Sequence, residues 1–157
     1  MVYGEYKGML SEVITPEVIK LNVECNNWEE AIKAGVKILI DKGYVEHSYE
    51  EAILEKIREL GPYMVITPNI VLPHARPEDG VNKTSFSLVT LKNPVNFGND
   101  KNDPVKLVIT IASKNNKDHI KFLAEIVDLL RNKEDLQKIF ETTSKEEVIN
   151  ILKKYNY

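Results

Sequence analysis

The chain lacks the raw material for several common kinds of protein. Its 157 residues contain one cysteine, Cys25, which excludes an internal disulfide framework and fits a reducing compartment. Long apolar runs are missing, and none approaches the roughly 20 residues that span a bilayer. The opening Met1-Val2-Tyr3-Gly4-Glu5-Tyr6-Lys7 lacks the charged-then-apolar pattern of a signal peptide. A cytoplasmic protein with no direct membrane insertion is expected. Basic charge is not in excess either: the formal net charge is −3 and the lysines and arginines are scattered, which argues against an electrostatic grip on nucleic acid. There is no Walker-type or Gly-x-Gly-x-x-Gly loop, no Gly-x-Ser-x-Gly elbow and no His-x3-His pair. ATP binding, serine hydrolysis and a zinc site therefore lack their usual signatures, and no cofactor or metal is expected.

What is present is an ordinary globular balance, 43% hydrophobic and 29% charged, in a chain long enough for a single domain over 1–157 with a sizeable core. Val18-Ile19-Lys20-Leu21-Asn22-Val23 reads as a first strand. From Trp28 to Lys42, Ala31, Ile32, Gly35, Val36 and Leu39 recur at helical spacing, and Gly43 supplies a stop. Ser48 with Glu51 forms a candidate capping box for a helix running to Leu60, ended by Gly61-Pro62. Two short β-prone runs follow, Tyr63 to Thr67 and Ile70 to Leu72. Thr84 to Leu91 and Val105 to Ala112 are the strongest strand candidates, with Lys92 to Pro104 loop-like between them. After Ala112 the pattern turns helical: Ile120, Leu123, Ala124, Val127 and Leu130 make one apolar stripe. Ser144 with Glu147 opens a last helix whose Val148, Ile151, Leu152 and Tyr155 face the core. Strands interleaved with helices predict an α/β sandwich with mixed strand directions.

Three histidines occur, and one sits in unusual company: Pro73-His74-Ala75-Arg76-Pro77-Glu78-Asp79-Gly80. His74 stands at the exit of an apolar strand, where α/β proteins commonly place ligand sites. The flanking prolines restrict the loop, and Arg76 brings a cation two residues away. Such a pairing can hold an imidazole and a positive charge where a phosphoryl group could sit; the bland alternative is a loop histidine that happens to lie near a turn. His119 falls in the first turn of the next helix, where free N–H groups and the helix dipole favour anions and disfavour the imidazolium. Both histidines follow apolar strands, so strands ending at one edge would bring them together. His47 reads as a solvated surface residue. Cys25 has the acidic neighbours Glu29 and Glu30, reads as a small packing residue and has no reason to be reactive.

Residues 70–81, Ile-Val-Leu-Pro-His-Ala-Arg-Pro-Glu-Asp-Gly-Val, closely resemble the active-site segment of phosphotransferase-system enzyme IIA of the mannitol/fructose-type superfamily, with wording most like its ascorbate-type branch. Gly43-Tyr44-Val45 before a helix, the strand Thr84 to Leu91, and Asp118-His119-Ile120 before an apolar helix fall in family order. The resemblance implies a mixed, mainly five-stranded sheet flanked by helices on both faces. It also implies a phosphotransferase role in sugar uptake. A histidine takes a phosphoryl group from the carrier protein HPr and passes it to a cysteine of enzyme IIB, and sugar enters through the membrane component IIC. On this match His74 is the phosphorylated nucleophile and His119 hydrogen-bonds the phosphoryl group. Mannitol-type members also carry an arginine in the preceding helix. Arg58 stands at a suitable distance, whereas alignment through Ala52-Ile53-Leu54 places Lys56 there, and Arg76 is a local alternative. A free-standing carrier is expected, ascorbate-like in its wording. A rival of another class is a regulatory protein that binds a target according to the phosphorylation state of His74.

Overall fold

A computed structural model describes residues 9–155; the leading segment Met1–Lys7 read above lies outside them. Five strands form one mixed sheet: β1 (Ile19–Val23), β2 (Val65–Thr67), β3 (Ile70–Val71), β4 (Ser85–Val95) and β5 (Val105–Ala112). Their order is β1-β4-β5-β3-β2. β1 runs parallel to β4 and β3 parallel to β5, while β4–β5 and β2–β3 are antiparallel. Around the sheet lie α1 (Met9–Val13), α2 (Trp28–Asp41), α3 (His47–Leu60), α4 (Asn116–Leu130), α5 (Lys133–Glu141) and α6 (Lys145–Leu152).

Side chains alternate across a strand, so cross-strand pairs reveal which helix covers which face. Phe86 pairs with Ile111 on one face, and there the Phe86 ring meets Phe122 of α4 at 5.8 Å between centroids. Ser87 pairs with Thr110 on the other face, beneath Gly35 of α2. A Cβ on Gly35 would stand 2.4 Å from Thr110 Oγ1, so only glycine lets α2 lie this close. Ser87 Oγ donates to the Gly35 carbonyl at 2.7 Å. Helices thus cover both faces, as expected, and β5 is buried along nearly its whole length.

Local chemistry explains the element ends. Asn27 caps α2 by accepting from Glu30 N at 2.9 Å, and Gly43 at φ +74° lets the chain leave the helix. Pro68 and Asn69 turn β2 into β3, with Asn69 at φ +73°, the left-handed position that asparagine tolerates. Cys25 is buried, and burial, followed by Glu30, pushes its thiol pKa up, in keeping with a packing role.

Several expectations need correction. The Ser48–Glu51 capping box does not form. Glu46 takes the N-cap position of α3, His47 begins the helix, and Ser48 Oγ is drawn instead to the Asp79 carbonyl at 2.8 Å. β4 continues past Leu91 to Val95, because its pairing with β5 resumes at Val95↔Val105 after an irregularity. The helix α5, built around buried Leu136 and Ile139, was not anticipated. On α4 the sequence stripe meets the core only in part, through Leu123 and Leu130. Phe122, Ile126 and Leu129 are buried, whereas Ile120 is 67% exposed and Val127 38%. Leu123 and Leu130 are half-buried. On α6, Ser144 accepts from Glu147 N at 3.2 Å, and Val148, Ile151, Leu152 and Tyr155 are buried as read.

Candidate active site

β3 and β5 run in the same direction, so their C-terminal ends reach the same edge of the sheet. His74 lies just beyond β3. Ser113 lies just beyond β5, and the chain then enters α4, whose fourth residue is His119. Asn115 caps α4 by accepting from Asp118 N at 2.8 Å, which fixes the first turn and the histidine on it. The two imidazoles end 5.5 Å apart between ring centroids, tilted by 40°. The pairing expected from two strand ends is therefore present.

Hydrogen bonds define which nitrogen of His74 is available. Nδ1 lies 2.7 Å from the Leu72 carbonyl, and a carbonyl can only accept, so Nδ1 carries the proton and donates. In the neutral ring the lone pair then resides on Nε2. For His119, Nδ1 lies 3.4 Å from Ser113 Oγ. Burial lowers the His119 pKa below the ordinary histidine value, and the charge of His74 lowers it further. A neutral ring at position 119 was expected from the helix dipole; desolvation and the neighbouring imidazole are the causes found here.

A pocket of about 300 Å³ opens at the two rings, lined by Lys56, Tyr63, His74, Arg76, Ser113 and His119 among others. The half-buried Lys56 and the exposed Arg76 give it two cations. Arg76 is steadied by Asp79, whose Oδ2 lies 3.5 Å from its Nε and accepts from its backbone N at 2.9 Å. Arg58 is not at the site. It pairs with Glu29 of α2 at 2.6 Å, because a residue two positions beyond Lys56 points about 200° around the helix. His47 is exposed on α3, away from the pocket. Sequence reasoning did not single out Tyr63, Ser113 or Tyr49. Tyr63 and Ser113 enter only through the juxtaposition of distant segments. Tyr49 looks like any apolar position of a helix until its hydroxyl is seen to reach the loop that carries His74.

A family model described as "Phosphoenolpyruvate-dependent sugar phosphotransferase system, EIIA 2" matches residues 12–155. The chain belongs to this EIIA family. Among curated relatives of this EIIA protein, the ascorbate-specific PTS system EIIA component of Escherichia coli K12 is 40% identical over 139 residues, covering 88% of this chain and 90% of that one. The mannitol-specific cryptic phosphotransferase enzyme IIA CmtB of Escherichia coli superposes with a TM-score of 0.83 at 32% identity, covering 93% and 99% of the two chains. Enzyme IIA in a solved complex with phosphorylated enzyme IIB of the Escherichia coli mannitol system superposes with a TM-score of 0.80 at 31% identity, over 90% and 97%. The protein is thus a component of a sugar phosphotransferase system with the fold of its mannitol-type relatives, and the ascorbate wording of residues 70–81 agrees with the ascorbate-specific relative. No helix among the described residues is long and apolar enough to cross a membrane.

Proposed function

We propose that this EIIA chain carries a phosphoryl group on Nε2 of His74, taking it from the phosphohistidine of HPr and giving it to a cysteine of enzyme IIB. The observation that carries this reading is the Nδ1–H bond to the Leu72 carbonyl, which holds the ring in one tautomer and leaves Nε2 as the nucleophilic nitrogen. In the accepting step an N–P bond forms at Nε2 as the donor's N–P bond breaks. In the onward step an S–P bond forms on the IIB cysteine and Nε2 recovers its lone pair. Phosphoryl transfer asks mainly for alignment and for charge stabilisation at the peripheral oxygens. Lys56 and Arg76 line the same pocket and supply positive charge, and a neutral His119 supplies a ring N–H donor. Neither partner interaction requires a membrane segment in this chain; IIC is reached only through IIB. Ascorbate is the transported sugar favoured by the 40% identical relative.

The exposed apolar residues near the site favour partners that reach His74 across an apolar margin. Ile120, one residue past His119, and Val127 are exposed on α4, and the exposed Tyr63 stands at the pocket. A partner that covers this margin excludes water from the transferring group.

The test is intact-protein mass after incubation with phosphoenolpyruvate, enzyme I and HPr. One acid-labile phosphoryl group is expected on the wild type and none on His74→Ala. An unlabelled wild type in the presence of active donors would overturn the carrier reading; equal labelling of both proteins would move the nucleophile, with His119 the next to test.

A further inference from the structure

β3 and β5 form a parallel ladder whose register pairs Ile70 with Leu107 and Val71 with Val108. One bond of that ladder pattern continues beyond β3: Ile111 N donates to the Pro73 carbonyl at 3.0 Å. In a parallel bridge the same residue's carbonyl accepts from the N–H two positions further along the neighbour. That bond would run from Ala75 N–H to the Ile111 carbonyl, with His74 as the bridged residue between them. It is not made directly. The Tyr49 hydroxyl stands in the gap, accepting from Ala75 N at 3.0 Å and donating to the Ile111 carbonyl at 2.6 Å. The Ala75 carbonyl, 3.4 Å away, is the poorer acceptor for its one proton. The hydroxyl therefore replaces a single ladder bond with two and spreads the strands at His74.

The location gives this insertion its meaning. The wedged residue is the one whose ring turns back to donate to the Leu72 carbonyl, and β5 is the strand that leads into Ser113 and His119. Tyr49 is fully buried, and burial pushes its phenol pKa up to about 12, so the hydroxyl stays a donor at any working pH. Its ring is anchored in α3, the helix that also brings Lys56 to the pocket. One side chain thus links the three segments that contribute His74, His119 and a cation.

We infer that Tyr49 is a positioning residue for phosphoryl transfer: its hydroxyl, inserted as a one-oxygen spacer between Ala75 and Ile111, holds the His74 backbone out of the sheet and so sets the tautomer and aim of the His74 ring. This rests on His74 being the nucleophile, but the consequence for the ring does not. In Tyr49→Phe the ring volume is kept and only the spacer is lost. Ala75 N–H can then close onto the Ile111 carbonyl, and His74 is drawn toward the ladder.

The experiment is nitrogen-15 NMR of the histidine rings together with phosphorylation kinetics from phospho-HPr, on wild type and Tyr49→Phe. The wild type is expected to show His74 in the Nδ1–H form with a slowly exchanging ring proton. In the variant that signature is expected to weaken to a tautomer mixture, with transfer slowed by about ten- to a hundredfold while the amide spectrum away from the site is unchanged. An unchanged ring signature, or a changed one with transfer at the wild-type rate, would overturn the inference. If the variant fails to fold, the wild type decides: a slowly exchanging Tyr49 hydroxyl proton in contact with the Ala75 amide supports the spacer, and a freely exchanging one overturns it. If His74 is not phosphorylated at all, the ring spectra still decide whether Tyr49 sets its tautomer, so the two failures are distinguishable.

Discussion

The two faces of the sheet are covered in different ways. On the α2 face contact is as close as backbone allows. Gly35 lies against Thr110, Ser87 bonds to the helix carbonyl, and Ala31, Ile32, Val36, Ile38 and Leu39 are all buried. Among the described residues Thr110 Oγ1 finds no hydrogen-bond partner, a polar atom left unsatisfied under the helix. On the α4 face the helix stands off on aromatic side chains, Phe122 against Phe86, and keeps an apolar row on its outer side. The first layer is finished within the molecule. The second leaves Ile120 and Val127 open to solvent, and that more open layer is the one that carries His119.

The contrast can be broken most severely at Gly35. Gly35→Val places a branched side chain where even a Cβ has no room, so α2 must lift from the sheet. A loss of about 3 kcal/mol is expected in denaturant unfolding. A loss within the few tenths typical of surface changes would show that the α2 layer is not tightly fitted.

The second variant works on the other layer. Ile120→Asp alters a side chain that is 67% exposed and should change unfolding free energy by no more than about 0.5 kcal/mol. Its effect should appear in partner affinity, with Kd for HPr or IIB raised about tenfold in titration calorimetry. Unaltered affinity would remove the α4 row from the interface.

The smallest expected effect concerns the helices behind α4. Asp135 of α5 is buried and accepts from the Tyr155 hydroxyl and from Lys154 Nζ, the latter at 3.1 Å. The Tyr155 bond holds its carboxyl pKa below the usual range, burial opposes, and Lys154 adds to the lowering. A carboxyl lowered in the folded state stabilises the fold above its unfolded pKa and loses that contribution as pH falls. Tyr155→Phe is therefore expected to cost about 1 kcal/mol near pH 7. The gap to wild type should narrow below about pH 4, read from melting temperatures across pH. A gap that widens in acid would contradict the sign.

Much of this arrangement can be read from the residues, and the failures have physical causes. β5 was bounded correctly because an almost uninterrupted apolar run of eight residues suits only a central strand. The proximity of His74 and His119 is legible because each follows such a strand and sits beside residues poorly suited to a core. The α4 face is only partly legible because the exposed Ile120 and Val127 are as apolar as the buried Phe122, Ile126 and Leu129. Helical periodicity finds stripes but cannot tell which one is buried deepest in the protein. Arg58 and Lys56 were indistinguishable by composition; only the rotation of α3 separates the pocket-facing cation from the one bound to Glu29. Ser48 was assigned to a cap because its competing acceptor, the Asp79 carbonyl, is distant in sequence.

The order of the strands has a consequence for how the protein is made. β5 is the last strand among the described residues and lies at the centre of the sheet. Before it leaves the ribosome, β1 has only β4 to pair with, and β2 only β3. Two-stranded pieces of this kind are marginal in water. The sheet therefore has no centre until Val105–Ala112 stands between the two pairs, and the two histidines cannot meet before that moment. A donor that phosphorylates only the assembled site would leave unfinished chains unmodified.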